Sequence, residues 1–375
     1  MTPGALRQTS HVAPRFLPGL QLSGRFFEEA VRPILETEAP GLVYSAARVG
    51  SGSEVLGYDS ERSVDHEWGP RLQVFVADDE EAAVGGRLTI ALSERLPKEF
   101  LGWPTHFEPA GADIRRMAHT DGPVRHRVDV ISVGGWCADR LGFDARREVT
   151  VLDWLATPGQ RLAEAVGGAV FHDGLGQLLP LRKRLEWYDD DVWRFLLASQ
   201  WQRIAQEEAF PGRCAEVGDE LGSRMVTARL VREVMRLWLL MERRYPPYTK
   251  WLGTAFASLP GTSVVAAGLG RALGAATWED REGGLCSAYR ETAERHNRLG
   301  LTSPLDSSPR SYFGRPYDVI DGGRFAAALR ETIGDPALRT LPLVGGVDQF
   351  LDSTDVLSHP QRARAAAAAL LPDLA

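Results

Sequence analysis

The sequence predicts an α+β protein in which a sheet-forming N-terminal domain is followed by an all-α helical-bundle domain. Stretches with strand character occur before residue 150. From Val151 onward, apolar residues recur at spacings of three and four, which is typical of helices that face a bundle interior. We therefore expect a flexible lead at residues 1–20, a sheet-containing domain at residues 20–150 and a helical domain at residues 151–375.

The first domain is predicted to begin with an amphipathic helix over Leu22–Thr37, which ends at Pro40-Gly41. A second helix is predicted over Glu80–Arg95, although Gly85-Gly86 weakens its helical pattern. Three strands are predicted from their alternating apolar residues and their valine content, at Leu42–Val49, Arg71–Ala77 and Arg125–Val133.

The second domain is predicted to be mostly helical. Its longest periodic stretches are Asp189–Ala209 and Arg213–Arg244, and we expect Trp193, Trp201 and Trp238 to lie in its core. Shorter helices are predicted near Gly261–Leu273, Glu279–Leu299, Gly323–Ile333 and Pro360–Leu371.

The charge composition argues against a general nucleic-acid-binding protein. The 375 residues carry 43 basic and 50 acidic side chains, a formal charge of -7, and only three of the basic residues are lysines, Lys98, Lys183 and Lys250. Because binding to nucleic acid in general is dominated by neutralisation of phosphates, this charge argues against a protein that coats DNA or RNA.

Cysteine usage and hydropathy predict a cytoplasmic protein. Cys137, Cys214 and Cys286 are odd in number and far apart, which supports neither a disulfide framework nor a structural zinc site. The segment Met1–Leu20 lacks the continuous apolar core of a signal peptide. No apolar stretch reaches the roughly 20 residues that cross a bilayer, so we expect no membrane insertion.

One region combines residues that suit phosphate chemistry. The stretch Val49–Gly57, which we call the Gly-Ser loop, contains Gly52 and Ser53, whose backbone N–H groups and hydroxyl suit a phosphate. Asp65 and Glu67 follow the loop. If residues 65–67 are extended, both carboxylates leave the same face about 6 to 7 Å apart, a geometry that can converge on Mg²⁺.

A third acid, Asp129, lies among strand-forming valines, where a buried carboxylate would need a partner. Three carboxylates can hold two metal ions about 4 Å apart, and such a pair stabilises the attacking and leaving oxygens of a phosphoryl displacement. The alternatives are an ordinary turn for the Gly-Ser loop, a solvated strand end for Asp65 and Glu67, and a surface acid on an edge strand for Asp129.

Taken together, these residues resemble the polymerase-β-like nucleotidyltransferase superfamily. Gly52-Ser53 with Gly57 is similar to its glycine-serine loop, and Asp65, Glu67 and Asp129 match its three metal ligands. His66 departs from the pattern, because that position is usually apolar in the superfamily. The resemblance implies a mixed sheet with flanking helices, two Mg²⁺ ions and ATP or another nucleoside triphosphate as substrate.

The second domain is similar to that of actinobacterial proteins of uncharacterised function that join such a domain to a helical one. The matching segments are Asp191–Trp193, Ser199–Arg203, Gly218–Arg224 and Tyr248–Trp251. The resemblance implies a triphosphate contact for Lys250 and an acceptor-binding or general-base role for Glu220. The alternatives are a solvated lysine and, for Glu220, surface or intrahelical ion pairs.

The expected function is Mg²⁺-dependent transfer of a nucleoside monophosphate, AMP from ATP, onto a hydroxyl of a small molecule, with release of pyrophosphate. Two alternatives have the same fold: transfer to a protein or tRNA end, and a non-catalytic nucleotide-binding regulatory protein. A helical interaction protein is a third alternative, but it leaves the Gly-Ser loop and the three acids unexplained.

Overall fold

The computed structural model describes residues 14–111 and 114–374, so most of the predicted lead at residues 1–20 lies outside the described residues. The protein is α+β, with a mixed sheet and many helices. Its chain divides into two compact units. The first comprises Met1–Trp136 and Glu164–Arg182, and the second comprises Cys137–Ala163 and Lys183–Ala375.

The strands in the described part of the chain are short. In chain order they are β1 (Ser45–Arg48), β2 (Arg71–Val76), β3 (Glu99–Phe100), β4 (Trp103–Pro104), β5 (His106–Pro109), β6 (Arg115–Ala118), β7 (Arg127–Ser132), β8 (Ala169–Asp173), β9 (Arg310–Ser311) and β10 (Asp318–Val319).

The helices account for most of the second unit. In chain order the described α-helices are α1 (Gly19–Phe26), α2 (Arg32–Glu38), α3 (Glu81–Arg95), α4 (Val133–Arg140), α5 (Val151–Ala156), α6 (Gly159–Val166), α7 (Leu178–Arg184), α8 (Asp190–Glu207), α9 (Phe210–Glu216), α10 (Glu220–Met241), α11 (Thr249–Ala257), α12 (Ser263–Gly274), α13 (Trp278–Arg298), α14 (Gly323–Glu331), α15 (Pro336–Thr340), α16 (Val347–Phe350), α17 (Thr354–Leu357) and α18 (Pro360–Leu370).

The main sheet of the first unit has four strands in the order β7-β2-β1-β8. Strand β1 is antiparallel to both β2 and β8, whereas β2 and β7 are parallel. The three predicted strands and the helix predicted at Glu80–Arg95 are confirmed within a few residues. The helix predicted at Leu22–Thr37 is interrupted by a π-helical turn at Phe27–Val31, and Pro33 is the second residue of α2, directly after that turn.

The prediction that residues 151–375 are all-α is wrong, because β8 and the short strands β9 and β10 lie within that range. Strand β8 pairs with β1 through Ala46 and His172, among other residues, and this pairing returns residues 164–182 to the first unit. The sequence places its boundary near residue 150, whereas the chain passes between the units several times. Five half-buried residues give too short an alternation to predict a strand, and pairing with β1 determines their conformation.

The core of the first unit lies between its sheet and helices α1, α2 and α3. Phe26, Phe27, Leu72, Val74 and Leu88 are fully buried in this cluster. Because β2 is buried along both faces, its run of apolar residues is the pattern expected of an inner strand.

The three tryptophans predicted in the core of the second unit are buried there. Trp193 donates its indole N–H to the carbonyl of Leu240, Trp201 stacks on Phe325 at 4.4 Å between ring centroids, and Trp238 donates to a threonine hydroxyl. The prediction that these rings are core residues is confirmed. Across the described residues, no helix combines the length and apolar character that crossing a membrane requires.

Candidate functional site: an arginine-rich end of the sheet beside the Gly-Ser loop

Three arginines lie at one end of the main sheet because of its strand directions. Arg71 and Arg127 are the first residues of the parallel strands β2 and β7, and they are paired in register. Arg48 is the last residue of β1, which runs antiparallel to β2. The carboxyl end of β1 therefore lies beside the amino ends of β2 and β7, and the Gly-Ser loop begins there.

Two glutamates join these arginines into a charge network. The Oε1 atom of Glu54 accepts hydrogen bonds from Nε of Arg48 at 2.9 Å and from Nη2 of Arg71 at 2.7 Å. Glu67 accepts from Nη1 of Arg71 at 3.2 Å and from Nη1 of Arg127 at 3.1 Å. We call these five side chains the arginine–glutamate network, which contains three cations and two anions.

Burial and charge set the protonation states in the network. Burial opposes ionisation of Glu54, but Arg48 and Arg71 outweigh it and hold the pKa of that carboxyl below its usual value. Burial likewise opposes ionisation of Glu67, and Arg127 provides the main interaction that lowers its pKa. Burial and repulsion from Arg48 lower the pKa of Arg71 to about 10, so it remains a cation at neutral pH. Both carboxyls are therefore ionised at neutral pH beside the charged Arg71.

The Gly-Ser loop is packed against this network at Gly52. A Cβ atom at this position would lie 2.5 Å from Oε2 of Glu54, 2.6 Å from Nη2 of Arg48 and 2.7 Å from Nη2 of Arg71. Gly52 also has a φ of +152°, a conformation that favours glycine. The network and the loop therefore require glycine at residue 52.

The backbone N–H groups of Gly52 and Ser53 have no hydrogen-bond partner among the described residues, and neither does the Ser53 hydroxyl. Both residues are half-buried. Two consecutive N–H groups and a hydroxyl next to two buried guanidinium groups form a donor-rich surface that suits an anion. This part of the loop can accept a phosphate group without breaking a hydrogen bond in the described part of the chain.

The backbone conformation at Asp65 and Glu67 differs from the extended one that was expected. Asp65 is the last residue of a 3-10 helix, Glu61–Asp65, and Glu67 has a left-handed φ of +46°. The expectation that residues 65–67 are extended is therefore wrong. The Ser60 and Ser63 side chains and backbone N–H groups cap the 3-10 turn reciprocally, and the turn at Glu67 directs its carboxylate to the arginines.

The three acids do not fit a metal ion in this arrangement. Asp65 is exposed and lies 3.0 Å from Nδ1 of His66. Asp129 is exposed on the edge strand β7, in register with Gln73, and Glu67 is engaged by the arginines. No group of three histidine, cysteine or acidic side chains suited to a metal occurs in the described part of the chain. The predicted three-carboxylate site is not assembled, and Asp129 matches the edge-strand alternative.

Lys250 and Glu220 lie in the second unit. Lys250 is an exposed residue of α11, with Nζ 4.9 Å from the ring centre of Trp251. Glu220 is the first residue of α10, and its Oε1 accepts from Nε of Arg224 at 2.8 Å and from Nη2 of Arg281 at 2.7 Å. Arg281 and Arg224 lower the pKa of Glu220, which makes it a weak proton acceptor and matches the ion-pair alternative.

The sequence did not predict that the candidate site includes Arg48, Glu54, Arg71 and Arg127. A signal was available, because Arg48 ends a predicted strand directly before the Gly-Ser loop and Arg71 begins the next one. Charged residues at strand ends are common, however, so this signal does not distinguish a site from an ordinary solvated end.

Comparison with known proteins adds one match. Residues 154–252 match the family model of a domain of unknown function, DUF4037. This stretch contains Trp193, Glu220 and Lys250, and most of it belongs to the second unit. The comparison with curated proteins found no match, and the comparison with solved structures found none either.

Proposed function

We propose that this protein binds a nucleoside triphosphate at Gly52 and Ser53 and transfers its nucleoside monophosphate, AMP when ATP is the donor, to a hydroxyl of a small molecule. The acceptor oxygen forms a bond to the α-phosphorus, and the bond from that phosphorus to the bridging oxygen breaks. The hydroxyl proton is lost and pyrophosphate leaves. We further propose that the first unit has the nucleotidyltransferase fold and that the reaction takes place in the cytoplasm.

One observation carries this proposal. The N–H groups of Gly52 and Ser53 have no partner among the described residues, and they lie at the sheet end where Arg48 and Arg71 are buried. A triphosphate carries several negative charges, and backbone N–H groups with guanidinium groups are the donors that proteins commonly use to bind them. The position of the loop after β1 also supports the resemblance to polymerase-β-like nucleotidyltransferases.

Mg²⁺ is the cofactor implied by the resemblance, and when bound it would neutralise charge on the triphosphate. Asp65, Glu67 and Asp129 do not fit a metal in the described arrangement, so the proposal assigns them no step. In this proposal Gly52 and Ser53 bind the phosphates, and the buried cations Arg48 and Arg71 lie beside them and contribute positive charge.

The engagement of Glu67 by Arg71 and Arg127 favours a second candidate, a non-catalytic nucleotide-binding regulatory protein. Such a protein would use the same loop and need no assembled carboxylates. The two candidates share nucleotide binding and differ in whether pyrophosphate is released.

The binding step is tested by thermal shift with each of the four nucleoside triphosphates, with and without Mg²⁺, because a ligand of the folded state raises the melting temperature. We expect ATP to raise it for the wild type. Ser53→Asp, which places a negative charge where a phosphate would lie, should weaken ATP binding at least about tenfold. Ser53→Asn is the matched control of similar size without the charge, and it should retain most of the shift.

An ATP-dependent shift of wild-type size in Ser53→Asp would exclude the loop as the phosphate site. Release of labelled pyrophosphate in the presence of a mixture of small hydroxyl compounds then separates the two candidates. Binding without release in every mixture would favour the regulatory protein.

A further inference from the structure

The Glu67 carboxylate lies in a cradle of three hydrogen-bond donors. Its Oε1 accepts the backbone N–H of Arg115 at 2.7 Å and Nη1 of Arg127 at 3.1 Å, and its Oε2 accepts Nη1 of Arg71 at 3.2 Å. Arg71 is buried, whereas Arg127 retains 28% of its side-chain exposure and Glu67 retains 31%. The cradle is thus buried on its Arg71 side and open to solvent on its Arg127 side.

The backbone of Glu67 is strained in this position. Its φ of +46° lies in the left-handed region that a residue with a side chain rarely adopts. The backbone N–H of Glu67 donates to the carbonyl of Arg115 at 2.8 Å, so the backbone is held independently of the carboxylate. The side chain can therefore rotate away while the donors of the cradle stay in place.

The donors of the cradle suit a phosphate oxyanion. Two guanidinium groups and one backbone N–H converge on the oxygens of a single carboxylate, and guanidinium groups bind phosphate with the same planar geometry. Arg71 also borders Gly52, where a Cβ atom would lie 2.7 Å from its Nη2. A phosphate chain bound at the Gly-Ser loop would therefore reach an arginine that also belongs to the cradle.

We propose that Arg71, Arg127 and the backbone N–H of Arg115 form an oxyanion-binding site in which the Glu67 carboxylate is an internal occupant, and that a phosphate group of the ligand displaces it. The identity of the ligand as a triphosphate rests on the proposed function. Glu67 is accordingly an acid that masks an anion site. Its engagement by the arginines explains why it does not join Asp65 and Asp129 in a metal site.

The test is calorimetric titration of the full chain with inorganic tripolyphosphate in the absence of Mg²⁺ and at fixed ionic strength. Glu67→Gln removes the competing charge and should bind tripolyphosphate about tenfold more tightly than the wild type. Glu61→Gln is the matched control, because Glu61 is an exposed acid of the neighbouring 3-10 helix and its loss changes the net charge equally. If Glu67→Gln melts like the wild type yet binds no more tightly than Glu61→Gln, the proposal is overturned.

A second variant keeps the test decisive if Glu67→Gln does not fold. Arg127→Met should weaken tripolyphosphate binding about tenfold relative to Arg116→Met, which removes an exposed arginine of β6. Equal affinities in these two variants would overturn the proposal.

Titration with ATP in parallel identifies the source of the phosphate. An equal gain for ATP and tripolyphosphate in Glu67→Gln would place the phosphates of a nucleotide in the site, and a gain for tripolyphosphate alone would place inorganic phosphate there. A gain for tripolyphosphate in a protein that shows no ATP-dependent thermal shift would support the oxyanion site and contradict the proposed function.

Discussion

At the scale of single residues, two separate features of the structure disfavour a side chain at Gly52. Its φ of +152° is unfavourable for any residue with a Cβ atom, and a Cβ atom would lie 2.5 Å from Oε2 of Glu54. Gly57, in the same loop, has a φ of +75° and open space around it. A side chain at Gly57 would therefore cause backbone strain alone, whereas one at Gly52 would cause both backbone strain and steric contact.

Gly52→Ala should lower the free energy of unfolding by about 2 kcal/mol or more, because it combines left-handed strain with a contact that the buried network cannot easily relax. Gly57→Ala carries the backbone strain alone and should cost about 1 kcal/mol. Urea-induced unfolding of both variants measures the difference. Equal losses would show that the arginine–glutamate network yields to a methyl group, contrary to the geometry at Gly52.

Residue identity predicted the Gly-Ser loop but not the partner of Glu67. Gly52 and Ser53 stand out in the sequence because glycine and serine at these spacings favour tight turns and exposed N–H groups. Glu67 also stands out, but its partner Arg127 is 60 residues away in the sequence. A carboxylate that can hold either a metal or an arginine is assigned by its neighbours in space, which the sequence alone does not specify.

At the scale of secondary-structure elements, Glu208 joins helix α8 to the segment that leads into α14. Its carboxylate accepts the backbone N–H groups of Ile320 at 2.9 Å, Asp321 at 3.0 Å and Gly322 at 3.1 Å. The three N–H groups favour the ionised form, but burial outweighs them and raises the pKa of Glu208 to about 7. The ionisation of Glu208 therefore makes the stability of this junction depend on pH.

The sign of the pH dependence follows from the raised pKa. In the unfolded chain Glu208 ionises near 4.5, whereas in the folded protein it ionises near 7, so folding takes up a proton between these values. The stabilisation it provides is complete below about pH 4.5 and is lost as the pH rises through 7, a change of about 3 kcal/mol. We expect Glu208→Gln to lack this component of the pH dependence.

The measurement is the free energy of unfolding between pH 5 and pH 8 for the wild type, Glu208→Gln and Glu207→Gln. Glu207, which pairs with Arg229 at 2.7 Å, is the adjacent control acid. A wild-type slope in Glu208→Gln, or loss of that slope in Glu207→Gln, would contradict the assignment to Glu208.

Element prediction from the sequence succeeded where local pattern decides the structure. Arg71–Val76 is a strand because its apolar residues are buried on both faces, and Glu220–Met241 is a helix because its apolar residues recur at helical spacing. Strand β8 was missed because pairing with β1, more than 120 residues earlier in the chain, supplies what its short sequence lacks. The π-helical turn at Phe27–Val31 was missed as well, since periodicity does not encode a single widened turn.

At the scale of the whole molecule, residues far apart in the sequence hold the second unit together. Asp348, near the C-terminus, accepts the backbone N–H of Gly159 at 3.0 Å and lies 3.0 Å from Nη2 of Arg236. Arg236 is buried. Gln349, the residue after Asp348, donates a hydrogen bond to Gln200 at 2.8 Å. The segment around Asp348 thus joins α6, α8 and α10 into one polar core.

Asp348→Asn should destabilise the protein by about 3 kcal/mol, because it leaves the buried Arg236 guanidinium without its carboxylate partner. Asp352→Asn, an exposed acid four residues along, should change stability by less than about 0.5 kcal/mol. Urea unfolding monitored by tryptophan fluorescence compares the two, since Trp193, Trp201 and Trp238 of the second unit are buried. A loss in Asp348→Asn no larger than in Asp352→Asn would show that Arg236 does not depend on this pair.

The sequence by itself determined the fold class, most of the long elements and the Gly-Ser loop, because these follow from local periodicity and from the conformational preferences of glycine and serine. Tertiary structure alone decided that β8 completes the sheet and that Arg48, Arg71 and Arg127 meet at one of its ends. It also decided that Glu67 pairs with arginines in the described arrangement. The physical reason is that a charged side chain is stabilised by whichever opposite charges folding brings within a few ångströms, and in this protein those charges belong to different strands.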